Sequence, residues 1–292
     1  MNNKIEQTVL QHSDHLGVDT GSADIIRDTA RIVIEPPRGW QALDFREIWR
    51  YRELLYYLAW RDVRVRYKQT AIGVAWAILQ PLLTMVVFSV IFGQLIGMQT
   101  DGAPYPVFAY VALLPWTFFA GALNRSGNSL VYDVNLISKV YFPRLILPFA
   151  AVLSIVVDFA IAFIILLGML LYYRIVPGAT ALTLPLFLLL AFLTALGIGL
   201  WLSALNVKYR DVAYIIPFLV QFWLFVTPVA YSSTIIPERW RFLYSLNPMV
   251  GVVEGFRWAL LGQRSVPGVF ILLSTIVVLT LFIGGLFYFR RM

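Results

Sequence analysis

The sequence contains no cysteine, so disulfides, zinc–thiolate sites and cysteine nucleophiles are excluded. Histidine is nearly absent too. His12 and His15 both stand in a polar N-terminal stretch and form no metal-ligand signature. Charge is scarce: Asp, Glu, Lys and Arg make up 13% of the chain, about half the share usual in a soluble domain. What charge there is gathers before residue 70 and in a few short segments. No G-x-x-x-x-G-K-[ST] phosphate loop occurs, so any uphill work draws its energy from a partner or an ion gradient. No internal repeat or low-complexity tract is detectable. No cleavable leader is expected, because the first long apolar run starts only near Ala71.

What is abundant is apolar surface, at 60% of the residues. A helix needs roughly 20 apolar residues to cross the bilayer core, and several stretches are that long. The expectation is therefore an all-α membrane protein. Six spans are expected, at Ile72–Met98, Val107–Leu123, Leu145–Tyr173, Leu182–Leu205, Val212–Tyr231 and Pro267–Phe289. Prolines 81, 148, 185, 217 and 228 fall within them, which membrane helices tolerate where neighbours satisfy the freed carbonyl. The net charge of +7 could speak for nucleic acid, but a basic cytoplasmic rim explains it better.

Residues 1–38 read as a disordered cytoplasmic tail ending in Pro36-Pro37. Residues 39–70 read as an amphipathic helix region. Ile48, Tyr51, Leu55, Leu58 and Ala59 share one face, with Arg46, Arg50 and Glu53 opposite. Such a helix could pack on another soluble domain; the chain offers none, so it is expected to lie in the membrane interface. The transmembrane domain then occupies 71–292. Lys and Arg cluster before the first span, around 125–144, at Lys208 and Arg210, and at Arg290 and Arg291, which places both termini in the cytoplasm. Residues 232–266 break the rule. They carry Arg239, Arg241, Arg257 and Arg264 on the outer side, are too interrupted to span, and are too apolar for a free loop. Two short re-entrant or interfacial helices fit, about Pro237–Ser245 and Pro248–Leu261, the second capped by Asn247 with Pro248 at its first position.

An ion-coupled carrier needs titratable groups within the membrane, and the spans offer Asp158 with only the neutral Gln80, Gln94 and Gln221 beside it. Asp158 is either functional or bonded to a neighbouring helix or subunit. Aromatics reach 15%. Trp76, Trp116, Phe118, Phe119, Phe222, Trp223 and Phe225 could line a conduit suited to sugars, whose C–H faces slide over rings; equally, each could face lipid or a helix neighbour.

The stretch Arg61-Asp62-Val63-Arg64-Val65-Arg66-Tyr67-Lys68-Gln69-Thr70, with Gly73, Trp76 and Gln80-Pro81-Leu82 after it, resembles the start of ABC-2 transport permeases. The branch resembled exports O-antigen, capsule or teichoic-acid polymers. Leu114-Pro115-Trp116-Thr117-Phe118-Phe119, Asn135 to Arg144, Tyr209-Arg210-Asp211-Val212, Thr227-Pro228-Val229, Asn247-Pro248 and Arg257 to Gly262 follow in the family's order. The resemblance covers about 45–292. It implies a polysaccharide export permease of the bacterial inner membrane and not an enzyme. The chain would work as a homodimer with two copies of a cytoplasmic ATPase subunit. No cofactor is expected on this chain, since ATP and magnesium belong to the partner. It further implies a glycan cargo on undecaprenyl diphosphate, an interfacial helix acting as a gate, and a coupling loop that includes Leu136, Lys139, Tyr141, Phe142 and Arg144. Arg61, Arg64, Arg66 and Lys68 are candidates for meeting the cargo's diphosphate. Anchoring to anionic headgroups is the other reading of the same residues. A drug or small-lipid exporter would share the fold. A membrane glycosyltransferase would instead cluster acids at a membrane face, and none cluster here.

Overall fold

The computed structural model describes residues 49–68, 74–98, 100, 102–262 and 268–292. The tail 1–38 with its two histidines, residues 39–48, the junction 69–73 and the loop 263–267 with Arg264 lie outside the described residues.

The described residues form ten α-helices and no strand. Helix α1 is Arg52–Lys68. Helix α2, Val74–Phe88, continues as a π-helical stretch, Ser89–Leu95. Then come α3 (Tyr105–Tyr132), α4 (Val134–Lys139), α5 (Ile146–Tyr172), α6 (Leu184–Lys208) and α7 (Val212–Val226), followed by α8 (Glu238–Ser245), α9 (Pro248–Leu261) and α10 (Gly268–Arg291). Among the described residues, five helical stretches are long and apolar enough to cross a membrane: Ala75–Leu95, Tyr105–Tyr132, Ile146–Tyr172, Ala179–Lys208 and Ile271–Arg291.

The span expected at Val212–Tyr231 meets a shorter helix. That helix ends at Val226 after 15 residues. That is about 22 Å of helix, short of a core about 30 Å thick. The cause is local. A residue before proline is pushed out of the helical region, and Thr227, ahead of Pro228, is extended at φ −99°, ψ 141°. Asn247 then donates to the Val226 carbonyl (3.4 Å) and to Thr227 Oγ1 (3.1 Å), which covers the broken end.

The span expected at Val107–Leu123 lies within a longer helix, since α3 runs on to Tyr132. The polar run after Leu123 does not stop it, because those side chains bond back to the helix itself. Asn124 donates to the Ala120 carbonyl at 2.9 Å, Asn128 to that of Asn124 at 2.8 Å and Ser129 to that of Ser126 at 2.7 Å. Asn206 of α6 adds a cross-helix pair, donating to Asn128 Oδ1 (2.9 Å) and the Gly127 carbonyl (3.1 Å).

Helix α3 is the buried axis, packed by α5, α6 and α9, whereas α2 is largely exposed. Small residues set the close crossings, as in membrane helix pairs generally. A Cβ on Gly285 of α10 would run into the Gly197 carbonyl of α6, and beside this crossing Trp201 stacks on Tyr288 with centroids 4.4 Å apart.

Candidate functional site: the cavity beside α1 and its arginines

Helix α1 leans along α5. Leu58 is buried in one apolar cluster with Leu130, Phe142, Ile146, Leu147 and Ala150. Further along, Arg66 donates to Ser154 Oγ at 3.0 Å and pairs with Asp158, while the Tyr67 hydroxyl donates to the same carboxylate. The two helices therefore ascend together. The interfacial helix read from the sequence is held at its C-terminal end by an acid within a span.

The basic residues of α1 divide between two roles. Arg61 is clasped by Asp62 (2.8 Å) and by Asp133 at the α3–α4 corner (2.9 Å). Burial lowers its pKa, but the hydrogen bonds to Asp133 and Asp62 outweigh this and raise it. Asp62 also stands 4.0 Å from Arg125 of α3. Burial and the nearby Arg125 guanidinium bring Arg66 down to about 10, still a cation at neutral pH. Arg64 and Lys68 are exposed, one turn apart.

Arg66 and Tyr67 of α1 and Arg125 of α3 line an open cavity of about 1090 Å³ that α2, α5 and α7 also wall. Of the sequence candidates, Trp76, Trp116, Phe118 and Phe225 line it. Phe119 does not. It is fully buried between the rings of Trp116 (5.4 Å) and Trp223 (5.3 Å). Trp223 turns away to donate its indole N–H to Asn247 Oδ1 at 2.9 Å, and Phe222 is exposed outside the lining. The cavity also takes Gln80, Gln221 and Asp158, the few polar residues noticed in the spans, together with Asn124 and Arg125. Those last two were missed as site residues. Arg125 was visible only as one more inner-side charge, and nothing in the sequence pointed it at this cavity.

At the loop expected to couple to a partner, α4 is followed by Pro143. Phe142 is 6% exposed and packs inward beneath α1; Leu136 packs against the same cluster. Lys139, Tyr141 and Arg144 face out, Tyr141 at 74% exposure, around a shallow hollow of about 290 Å³.

The opposite end holds α8 and α9, close to the two short helices expected there. Asn247 caps α9 by accepting from the Met249 N–H at 3.0 Å, Pro248 opens the helix, and Gly262 ends it in the left-handed region at φ 64°. Arg257 is fully buried. It pairs with Glu254 at 3.0 Å, donates to the Val229 (3.0 Å) and Tyr231 (3.2 Å) carbonyls, and lies 3.7 Å from the Phe108 ring centroid. The sequence signal was an i, i+3 acid–base pair in an otherwise apolar helix, and it was not read as a pair.

Residues 53–261 match the family described as ABC-2 type transporter. The O-antigen export system permease protein RfbA of Myxococcus xanthus is 31% identical over 73% of this chain and 82% of its own. An RfbA of Klebsiella pneumoniae is 26% identical over 82% and 92% of the two chains. The polysialic acid transport protein KpsM of Escherichia coli is 25% identical over 79% and 90%.

Proposed function

Because the chain belongs to the ABC-2 transporter family, we propose that it is the permease subunit of an ABC transporter that exports a lipid-linked polysaccharide. The observation that carries this reading is the naming of its relatives. Several proteins aligned with it over most of their length are permeases for O-antigen export or transport proteins for polysialic acid. The geometry supports it: an open cavity walled by tryptophan and phenylalanine suits a sugar chain or an apolar carrier, and its lining includes two guanidinium groups.

In this reading the permease sits in the bacterial inner membrane with both termini in the cytoplasm. It acts as a homodimer with two copies of a separate ATPase subunit, which binds ATP and magnesium. The α4 loop couples the two, with Lys139, Tyr141 and Arg144 as its outward contacts. The cargo is a glycan on an undecaprenyl-type diphosphate, which arrives beside Arg61, Arg64, Arg66 and Lys68. ATP binding draws the ATPase subunits together, shifts the α4 loops and opens a path between permease subunits. That is a change of a bistable interface rather than chemistry in the membrane.

Deletion of the gene in its host tests the reading. Lipid-linked polymer should accumulate on the cytoplasmic side and vanish from the cell surface, and a plasmid copy should restore it. Surface polymer at wild-type levels in the deletion strain would refute the assignment.

A further inference from the structure

A carboxylate inside a spanning helix is costly to place, and pairing it with an arginine seldom recovers more than an apolar pair would. Fastening α1 to α5 does not require it either, because the Leu58 cluster already joins the two helices. The Arg66–Asp158 pair has a second property: it lies on the wall of an open cavity rather than in packed interior. Both residues line that cavity, as do Arg125, Tyr67 and Asn124, and Arg125 lies close enough to Arg66 for the two guanidinium charges to repel. The rest of the lining is mostly apolar and aromatic, including Trp76, Trp116, Phe118 and Phe225. The space is thus a largely apolar cleft whose lining includes two arginines.

We propose that Arg66 and Arg125 form a binding site for the phosphate head of an amphiphile, and that Asp158 is a placeholder occupying Arg66 while the site is empty. A diphosphate carries more charge than a carboxylate and offers more oxygens to the planar guanidinium fork, so it displaces Asp158 from Arg66. The released carboxylate is not stranded, because the Tyr67 hydroxyl already donates to it. The apolar stem of the ligand lies against the tryptophans and phenylalanines between α2 and α7. Naming the ligand as a lipid diphosphate rests on the proposed function; the site itself asks only for an anionic head on an apolar stem. Arg64 and Lys68, exposed on α1, then serve the approach to the site rather than the site itself.

The test is binding of farnesyl diphosphate to the purified full-length permease, followed by tryptophan emission, with farnesol and inorganic diphosphate as separate arms. Farnesyl diphosphate should bind more tightly than either half alone. Arg66→Gln and Arg125→Gln should each weaken it by about tenfold, the scale of one charge-assisted hydrogen bond. Asp158→Asn should tighten it, because the competing carboxylate is gone. Tyr67→Phe, which keeps every charge, should shift binding less than either arginine variant. A purely structural Asp158 makes the opposite forecast for the asparagine variant. Weakened or unchanged binding in Asp158→Asn overturns the placeholder, and equal affinity for inorganic diphosphate overturns the amphiphile site. A permease that moves polymer yet shows no tightening in Asp158→Asn keeps the function and loses this site. The expected binding pattern in a permease that moves no polymer keeps the site and loses the function.

Discussion

Arg61 of α1 reaches across to Asp133, the residue joining α3 to α4, at 2.9 Å. This clasp ties the amphipathic helix to the corner from which the outward-facing loop departs. Arg61 therefore acts first as a fastener, and its exposed neighbour Arg64 does not. In a double-mutant cycle, Arg61→Ala and Asp133→Ala should show a coupling of about 1 kcal/mol, the upper range for surface ion pairs. Thermal unfolding of the purified permease measures it. Arg64→Ala should leave the midpoint unchanged, and additivity of Arg61→Ala with Asp133→Ala would remove the clasp.

The loop after α4 separates two adjacent aromatics by burial, and their substitutions should fail differently. Phe142→Ala empties a packed site under α1 and should cost the permease about 3 kcal/mol of stability, as large core truncations do. Tyr141→Ala should leave the permease as stable as wild type. Because it removes an exposed aromatic anchor, it should reduce co-purification of the ATPase subunit. Normal co-purification of the Tyr141 variant would place the docking surface elsewhere.

Arg257 and Glu254 form the most deeply buried ion pair among the described residues. Arg257→Met strands the carboxylate and two backbone carbonyls in apolar surroundings, at a cost of about 3–5 kcal/mol. Expression and thermal unfolding should both report it. Adding Glu254→Gln to Arg257→Met should recover part of the loss, since the stranded charge is then gone. A double variant as unstable as Arg257→Met would show that the carbonyls, not the charge, set the cost.

At the α6–α10 crossing, Gly285→Ala places a methyl group against the Gly197 carbonyl, a backbone atom that no rotamer change can move aside. The crossing should open, with faster proteolysis of the C-terminal helix. Gly168→Ala, where a Cβ meets nothing, is the matched control and should be silent.

Much of this architecture was legible because the bilayer imposes it. Long apolar runs had to be helices, and Asn247-Pro248 carried both the cap and the first turn of α9. Two helix ends show what the length of an apolar run does not carry. Thr227-Pro228 stops a helix in apolar sequence, whereas Asn124 and Asn128 extend one through polar sequence by bonding to their own backbone. The site was harder to read. Asp158 stood out as the lone acid in a span, but its partner comes from α1, far away in sequence, and such a pairing has no local signature. Trp116 and Phe119 lie nearly one turn apart on α3, yet one lines the cavity and the other is sealed behind it. Composition suggested an aromatic conduit without assigning individual rings.

The most direct test of the central claim is transport in proteoliposomes containing this permease and its ATPase subunit, loaded with lipid-linked polysaccharide in the outer leaflet and supplied with external ATP. Polymer should move to the lumen only with ATP and be protected there from an added glycosidase. The complex should also show ATP hydrolysis that the permease alone does not show. Robust hydrolysis by the assembled complex with the polymer still fully digestible would contradict it.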